Sequence, residues 1–374
     1  MTGPKLTPLA ASLPASVPFV GPEAQERQRN QIFNARLGAN ESTFGPSPKA
    51  IVAMEKAASD VWMYGDPESH DLRQALAQHH DIPAESIMIG EGIDTLLGLI
   101  VRLFISPGDA VVTSAGAYPT FNYHVAGFDG TLHAVPYVDD HEDPDSLINK
   151  ALEVNAKLVY LANPDNPMGS WHDAATINSM IAKLPDDCLL ILDEAYIELA
   201  PDGTAPPFDT GNPNVLRMRT FSKAYGMAGA RVGYAVGHSD TIMAFNKIRN
   251  HFGMNRISQA GALASIQDTG WLENIRAQVA HAREQIIDIA KENGLSPLPS
   301  ATNFVTIDCG QTGDFARAVL GALIDQGIFV RMPFVAPQDR CIRISCGKPD
   351  QLDALAKALP IALDTAQATH KNLG

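Results

Sequence analysis

The stretch "FSKAYGMAGARVG", Phe221 to Gly233, decides how this chain is read. It holds three glycines, three alanines, one lysine (Lys223) and, eight residues later, Arg231. An exposed helix is a poor reading, because each glycine costs ~1 kcal/mol relative to alanine in a helix interior. The run "NVLRMRTFS" just before Lys223 is short, apolar and rich in β-formers, and "RVGYAVG" follows in the same style. Lys223 is therefore expected at the carboxyl end of a strand.

Outward from that stretch the pattern repeats. "ESIMIG" and "GDAVVTSA" read as buried strands flanking "IDTLLGLIVRLF", whose apolar residues recur at helical spacing. "AKLVYLA" and "DCLLILD" are two further strands. Strand and helix in alternation imply an α/β fold: a mostly parallel sheet sandwiched by helices, with ligands at the carboxyl ends of the strands. After about residue 270 two long amphipathic helices, "WLENIRAQVAHAREQIIDIAKENG" and "GDFARAVLGALIDQG", alternate with "NFVTIDCG", "IFVRM" and "CIRISCG". That is the pattern of a smaller α+β C-terminal domain. The Pro-rich start reads as an arm, so the expected division is 1–48 arm, 49–270 large domain and 271–374 small domain.

Composition limits the function. The 374 residues carry 28 Lys+Arg against 42 Asp+Glu, a net charge of −14, which disfavours nucleic acid and anionic membranes as partners. No stretch of about 20 apolar residues occurs, and the N-terminus lacks the pattern of a signal peptide. Four cysteines without metal spacing imply reduced thiols, a cytoplasmic location and no metal site. The acidic run "DDHEDPD", Asp139 to Asp145, reads as a solvated loop marked by Pro144.

Polar residues collect at the expected strand ends: Asp193 after "CLLIL", Asn163 and Asn166 in "NPDNPMG", and Lys223. Singly, each has a structural reading as a cap, a turn or a solvated amine. Together at one sheet edge they resemble the fold-type-I pyridoxal-phosphate aminotransferases, most closely the histidinol-phosphate aminotransferase branch. The resemblance runs from "ANESTFGPSP" to "CIRISCG" and rests chiefly on "NPDNPMG", "DEAYIE" and "TFSKAYGMAGARVGY" in that order.

The resemblance implies a cofactor, pyridoxal 5′-phosphate, and a role for each matched residue. Lys223 matches the Schiff-base lysine, and burial beside Arg231 would favour its neutral form. Asp193 matches the partner of the pyridine nitrogen; Tyr196 and Asn166 match the residues that bond the phenolic oxygen. The phosphate falls to the backbone of Ile93 and Asp94 at a helix start, with Thr220, Ser222 and Arg231. Tyr118 matches the aromatic that stacks on the ring, with a core aromatic as the other reading. Tyr64 matches a tyrosine contributed by the partner subunit, which implies a homodimer with shared active sites. On the substrate side, Arg343 matches the α-carboxylate clamp, Asn40 falls beside it, and Arg331 falls near the distal end of the substrate.

The implied reaction moves an amino group from an amino-acid-like donor, histidinol phosphate by resemblance, to 2-oxoglutarate. Departures leave the donor open: "ANEST" stands where the branch has "ANENP", and Gly253-Met254-Asn255-Arg256 where it has N-V-N-S. Aromatic amino acid transamination and phosphothreonine-type decarboxylation are the alternatives. A dinucleotide oxidoreductase fails, because "GEGIDT" lacks the third glycine of the fingerprint.

Overall fold

The computed structural model describes residues 3–15 and 20–371; residues 1–2 and 16–19 of the expected arm, and 372–374, lie outside the described residues. Strand β1 (Ala35–Arg36) stands apart from the main sheet. That sheet is built from β2 (Ile87–Gly90), β3 (Ala110–Ser114), β4 (Thr131–Val135), β5 (Leu158–Ala162), β6 (Leu189–Asp193), β7 (Val215–Thr220) and β8 (Gly233–Val236). Its order is β2-β8-β7-β6-β5-β3-β4.

The pairs from β7 through β6, β5 and β3 to β4 are parallel, while β8 runs antiparallel to both β7 and β2. The connections differ. Parallel neighbours need a crossover of a dozen or more residues, usually helical. The helices Thr120–Gly127, Pro144–Val154 and Ala174–Ile181 supply it between β3 and β6. The Lys223 stretch instead returns the chain directly from β7 to β8 without an α-helix. In the helix Ile93–Phe104 the buried residues are Ile93, Leu96, Leu97, Ile100 and Val101, one stripe at helical spacing laid on the sheet.

The C-terminal part has its own core. Strands β9 (Ser296–Pro297), β10 (Phe304–Asp308) and β12 (Cys341–Ser345) form an antiparallel sheet in the order β12-β10-β9. Helices Thr269–Glu292, Gly313–Asp325 and Pro349–Lys371 cover it. Strand β11 (Ile328–Phe329) pairs in parallel with β1, and Ala35 and Leu37 are buried in the same core as Ile275, Val319 and Ile344. The end of the N-terminal segment is thus part of the C-terminal core, since its apolar residues alternate and find an open strand edge there.

The acidic run departs from the expected solvated loop. Asp143 caps the helix Pro144–Val154 by accepting the Ser146 N–H, and Asp140 pairs with Arg340 at 2.7 Å. Glu142 is 1% exposed. A carboxyl can be buried there because the chain supplies a backbone donor, Ala162 N, at 3.0 Å.

Candidate active site

A cavity of about 600 Å³ opens at the carboxyl ends of β5, β6 and β7. Its floor belongs to the large sheet. Its rim comes from Gly38–Glu41, Gly21–Glu23, Arg331–Val335 and Arg343. Of the residues singled out in the sequence, Ile93, Asp94, Tyr118, Asn166, Asp193, Tyr196, Thr220, Ser222, Lys223, Arg231, Arg331, Arg343 and Asn40 all line it. Tyr64 does not; its ring is 77% exposed and lies 4.8 Å from that of Phe252.

Asp193 ends β6 with its carboxylate buried. The Tyr160 hydroxyl donates to Oδ2 at 2.7 Å and the Ala195 N–H to Oδ1 at 3.0 Å. Burial pushes its pKa up to about 6, and those two donors only partly offset the loss of water. Tyr160 is a site residue that the sequence reading passed over. It lies inside the all-buried strand "LVYLA", where period-2 alternation is absent and nothing distinguishes a cavity-facing residue.

Lys223 follows β7 and points its Nζ at the Asn40 carbonyl oxygen, 3.1 Å away, and over the Tyr196 ring at 5.5 Å. Burial lowers its pKa to about 8, helped by repulsion from Arg343 and Arg231 and opposed by Glu41 and Asp193. About a tenth of the amine is then neutral at pH 7, far more than for an ordinary lysine. The small residues around it serve close packing: a Cβ at Gly226, φ +69°, would collide with the Gly45 carbonyl. Asn40 is held tightly, its N–H donating to Ser345 Oγ at 3.0 Å and its Nδ2 to the Tyr196 hydroxyl at 3.1 Å.

One end of the cavity gathers groups that could hold an anion. The helix Ile93–Phe104 begins there, and its first N–H groups have no acceptor within the helix. The Asp94 carboxylate is turned onto His124 Nε2 at 2.9 Å. Arg231 donates to Ser222 Oγ at 3.2 Å and to the Ala228 carbonyl at 3.1 Å, holding its own backbone at φ 55°. Gly92 is required beside it, because a Cβ there would collide with the Arg231 guanidinium. Thr220 donates its hydroxyl to Ser222 Oγ at 2.9 Å.

At the other end, Arg343 donates from Nη1 to Asn166 Oδ1 and from Nη2 to the Gly38 carbonyl at 3.1 Å, and its Nε is buried without an acceptor. Burial lowers its pKa to about 10, still fully charged at neutral pH. Arg331 donates to the Val20 carbonyl at 2.6 Å, which ties the N-terminal segment to the rim. Arg256 turns elsewhere: its guanidinium donates to the Tyr64 carbonyl at 2.8 Å, and it does not line the cavity. Among the described residues no cluster of His, Cys, Asp or Glu side chains is placed to hold a metal, and no helix is long and apolar enough to cross a membrane.

Residues 35–359 match the model of the family described as aminotransferase class I and II. A curated histidinol-phosphate aminotransferase from Anaeromyxobacter sp. is 35% identical over 88% of this chain and 90% of its own length. A crystal structure of histidinol-phosphate aminotransferase from Sinorhizobium meliloti, in complex with pyridoxal-5′-phosphate, is 53% identical. It superposes with a TM-score of 0.93 over 96% of this chain and 98% of its own. An aspartate aminotransferase from Thermus thermophilus shares the fold at 20% identity, with a TM-score of 0.79 over 96% of this chain and 100% of its own.

Proposed function

The chain belongs to the class I and II aminotransferases, and from that premise we propose a pyridoxal-phosphate-dependent transaminase that takes histidinol phosphate as donor and 2-oxoglutarate as acceptor. The observation that carries the chemistry is the cavity itself. It sets a buried amine of lowered pKa and a buried carboxylate between two cationic ends.

The residues present fit the cofactor. An anion site of helix N–H groups, Ser222 and Arg231 suits a phosphate, and Gly92 leaves it no room for a side chain. Asp193, buried with two donors and no cation in contact, suits a ring N–H. Tyr118 lines the cavity as the face for a planar ring, and the Tyr196 hydroxyl and Asn166 amide suit its phenolic oxygen. When bound, pyridoxal phosphate supplies the electron sink that stabilises charge developing at the substrate Cα.

The protein's own groups then divide the work. Lys223 Nζ would hold the cofactor, and its neutral amine would take the proton from the donor's Cα as a general base and then pass it on as a general acid. Arg343 clamps the α-carboxylate with its paired N–H groups, a geometry that lysine lacks. Asp193 Oδ atoms would hold a proton on the cofactor's ring nitrogen. Arg331 recognises the distal anion of the donor, supported by its place on the rim and by the 53% identity to the Sinorhizobium enzyme.

The same reading makes the enzyme a cytoplasmic homodimer, in which its four buried thiols stay reduced. Support comes from the exposed apolar face of Val61, Trp62, Tyr64 and Phe252, which suits a second copy, with Tyr64 reaching that copy's cofactor phosphate. Rapid mixing of the loaded protein with histidinol phosphate, phenylalanine, tyrosine or leucine, one at a time, tests the donor through the cofactor absorbance. Conversion fastest with histidinol phosphate is expected. Faster conversion with an aromatic amino acid, or release of carbon dioxide without an acceptor, overturns the assignment.

A further inference from the structure

Two buried carboxyl groups lie beneath the site and have no place in the chemistry above. Glu142 is 1% exposed and Asp165 is 2% exposed. Glu142 stands just before the helix Pro144–Val154, and Asp165 sits in the turn that follows β5 and presents Asn166 to the cavity. The two are mutual neighbours.

Their partners are few. Glu142 Oε1 accepts the Ala162 N–H at 3.0 Å, while Oε2 is buried without a hydrogen-bond partner, as is the neighbouring Ser114 hydroxyl. Asp165 accepts the Tyr137 hydroxyl at 3.0 Å and the Met168 N–H at 3.1 Å, with the Asn166 N–H close by. Ser114 lies beside Glu142, and the Tyr160 hydroxyl is near. His172 bonds the Glu142 backbone carbonyl at 2.7 Å, and burial holds its ring below its ordinary pKa, hence neutral. Arg343 is the cation that Asp165 feels, and its N–H groups are directed at Asn166 and Gly38.

Two carboxylates in contact in a dry interior repel, and neither can donate to the other. One proton between them turns the repulsion into a strong hydrogen bond and satisfies the orphaned oxygen. We propose that Glu142 carries that proton at neutral pH and donates it to ionised Asp165, and that this bond fixes the turn presenting Asn166. Glu142 is thus a positioning residue for the active site. The titration behaviour agrees: burial first, then the Asp165 charge, raise Glu142 well above the carboxylate range, more than Ser114 lowers it. Burial raises Asp165 only to about 6, because its donors hold it down.

The turn matters because Asn166 Oδ1 receives Arg343 Nη1. Moving the turn displaces both groups at once. The pair also leaves a single negative charge beneath Arg343, which favours the charged guanidinium against the effect of burial.

Infrared spectroscopy of the cofactor-free protein in heavy water tests the proton directly, without relying on the proposed function. The native-minus-E142Q difference spectrum at neutral pH is expected to show a lost carboxylic-acid C=O stretch and unchanged carboxylate bands. Loss of a carboxylate band instead overturns the proposal.

The positioning claim rests on the proposed role of Asn166 and is read from the loaded enzyme. E142L, which keeps the volume but has no donor, is expected to raise KM for the 2-oxo acid about tenfold, the loss of one hydrogen bond. It should also displace the pH at which the cofactor absorbance changes. E142Q, whose amide can both donate to Asp165 and accept from Ala162, is expected to restore both. An unchanged KM and absorbance profile in E142L, or E142Q as impaired as E142L, overturns it. If E142L does not fold, the E142Q profile and its infrared difference decide.

Discussion

Asp193 and Glu194 are chain neighbours, both buried, at the end of the same strand, and their surroundings are opposites. Glu194 points away from the cavity. It accepts Arg217 Nη2 at 2.6 Å and Arg219 Nε at 2.9 Å. Both guanidinium groups lie over the Phe208 ring, at 4.1 Å and 4.8 Å. Arg217 gives further N–H bonds to the Pro206 and Pro207 carbonyls, at 2.8 Å and 3.1 Å. Burial alone would raise the Glu194 pKa, but Arg219 and Arg217 outweigh it and hold it below the ordinary range. Asp193 receives two neutral donors and no cation, and its pKa rises to about 6.

A buried charge compensated within the chain is part of the scaffold. One left under-compensated, with Lys223 and Arg231 across a cavity, is prepared for something that the chain does not itself contain. The neighbouring charges, and not burial as such, separate the two.

The largest test falls on the cavity side. Lys223→Ala should lower transamination by about 10⁴-fold or more and abolish borohydride fixation of the cofactor, while thermal unfolding stays cooperative. In the cofactor-free native protein the rate of imine formation with added pyridoxal phosphate, read by absorbance, should rise as pH passes about 8 and then level off, since the neutral amine is the nucleophile. Asp193→Asn should follow with a loss of roughly 10²–10³-fold in kcat, the size seen when one preorganised charge-stabilising group is removed. Intact turnover in either variant would sink the assignment of the cavity.

Glu194→Ala should do the reverse, costing about 3–5 kcal/mol of stability by leaving two buried guanidinium groups unpaired. Its remaining folded fraction should still fix cofactor. Equal damage to kcat and stability from both substitutions would erase the contrast between the two acids.

A pH titration sharpens it further. Between its ordinary 3.8 and about 6, native Asp193 binds more protons than the unfolded chain does. The cofactor-free protein should therefore lose up to about 3 kcal/mol from this residue as pH rises through that window. Asp193→Asn should remove that slope when compared with the native protein by urea unfolding at each pH.

The smallest effect is expected at Arg256→Ser. It removes the 2.8 Å bond to the Tyr64 carbonyl and should cost about 1 kcal/mol. Cofactor retention should fall mainly on dilution, because the loop it steadies bears the Tyr64 proposed to reach a second copy. Retention independent of protein concentration would separate Arg256 from that loop's role.

Much of the scaffold is legible in the amino-acid order because local forces set it. Short β-branched runs end in glycine or a polar residue, and the stripe from Ile93 to Val101 has only one way to face a sheet. The ordered set of Asn166, Asp193 and Lys223 is legible for the same reason: each ends or follows a strand, and strand ends share one edge, with Arg231 just before β8 at that same edge. What escaped notice depends on distant partners. Glu142 sits in a run of acids that looks solvated, and only the Ala162 amide and Asp165 reveal it as buried. Tyr160 is hidden inside a uniformly apolar strand. The antiparallel course of β8 depends on how the Lys223 stretch doubles back after β7, and the place of Ala35 and Leu37 in the C-terminal core follows from an open edge almost 300 residues away.

The chain's order alone determined which chemistry-bearing residues exist, on which strand ends they fall, and that Lys223 is the amine on which the proposed reaction would centre. Tertiary structure decided which of them are charged and what they face. Ionisation in a protein interior depends on burial and on groups brought close through space, and neither is encoded at a single position. Asp193 and Glu194 stand side by side in the chain, and only folding sends one to two arginines and the other to an open cavity.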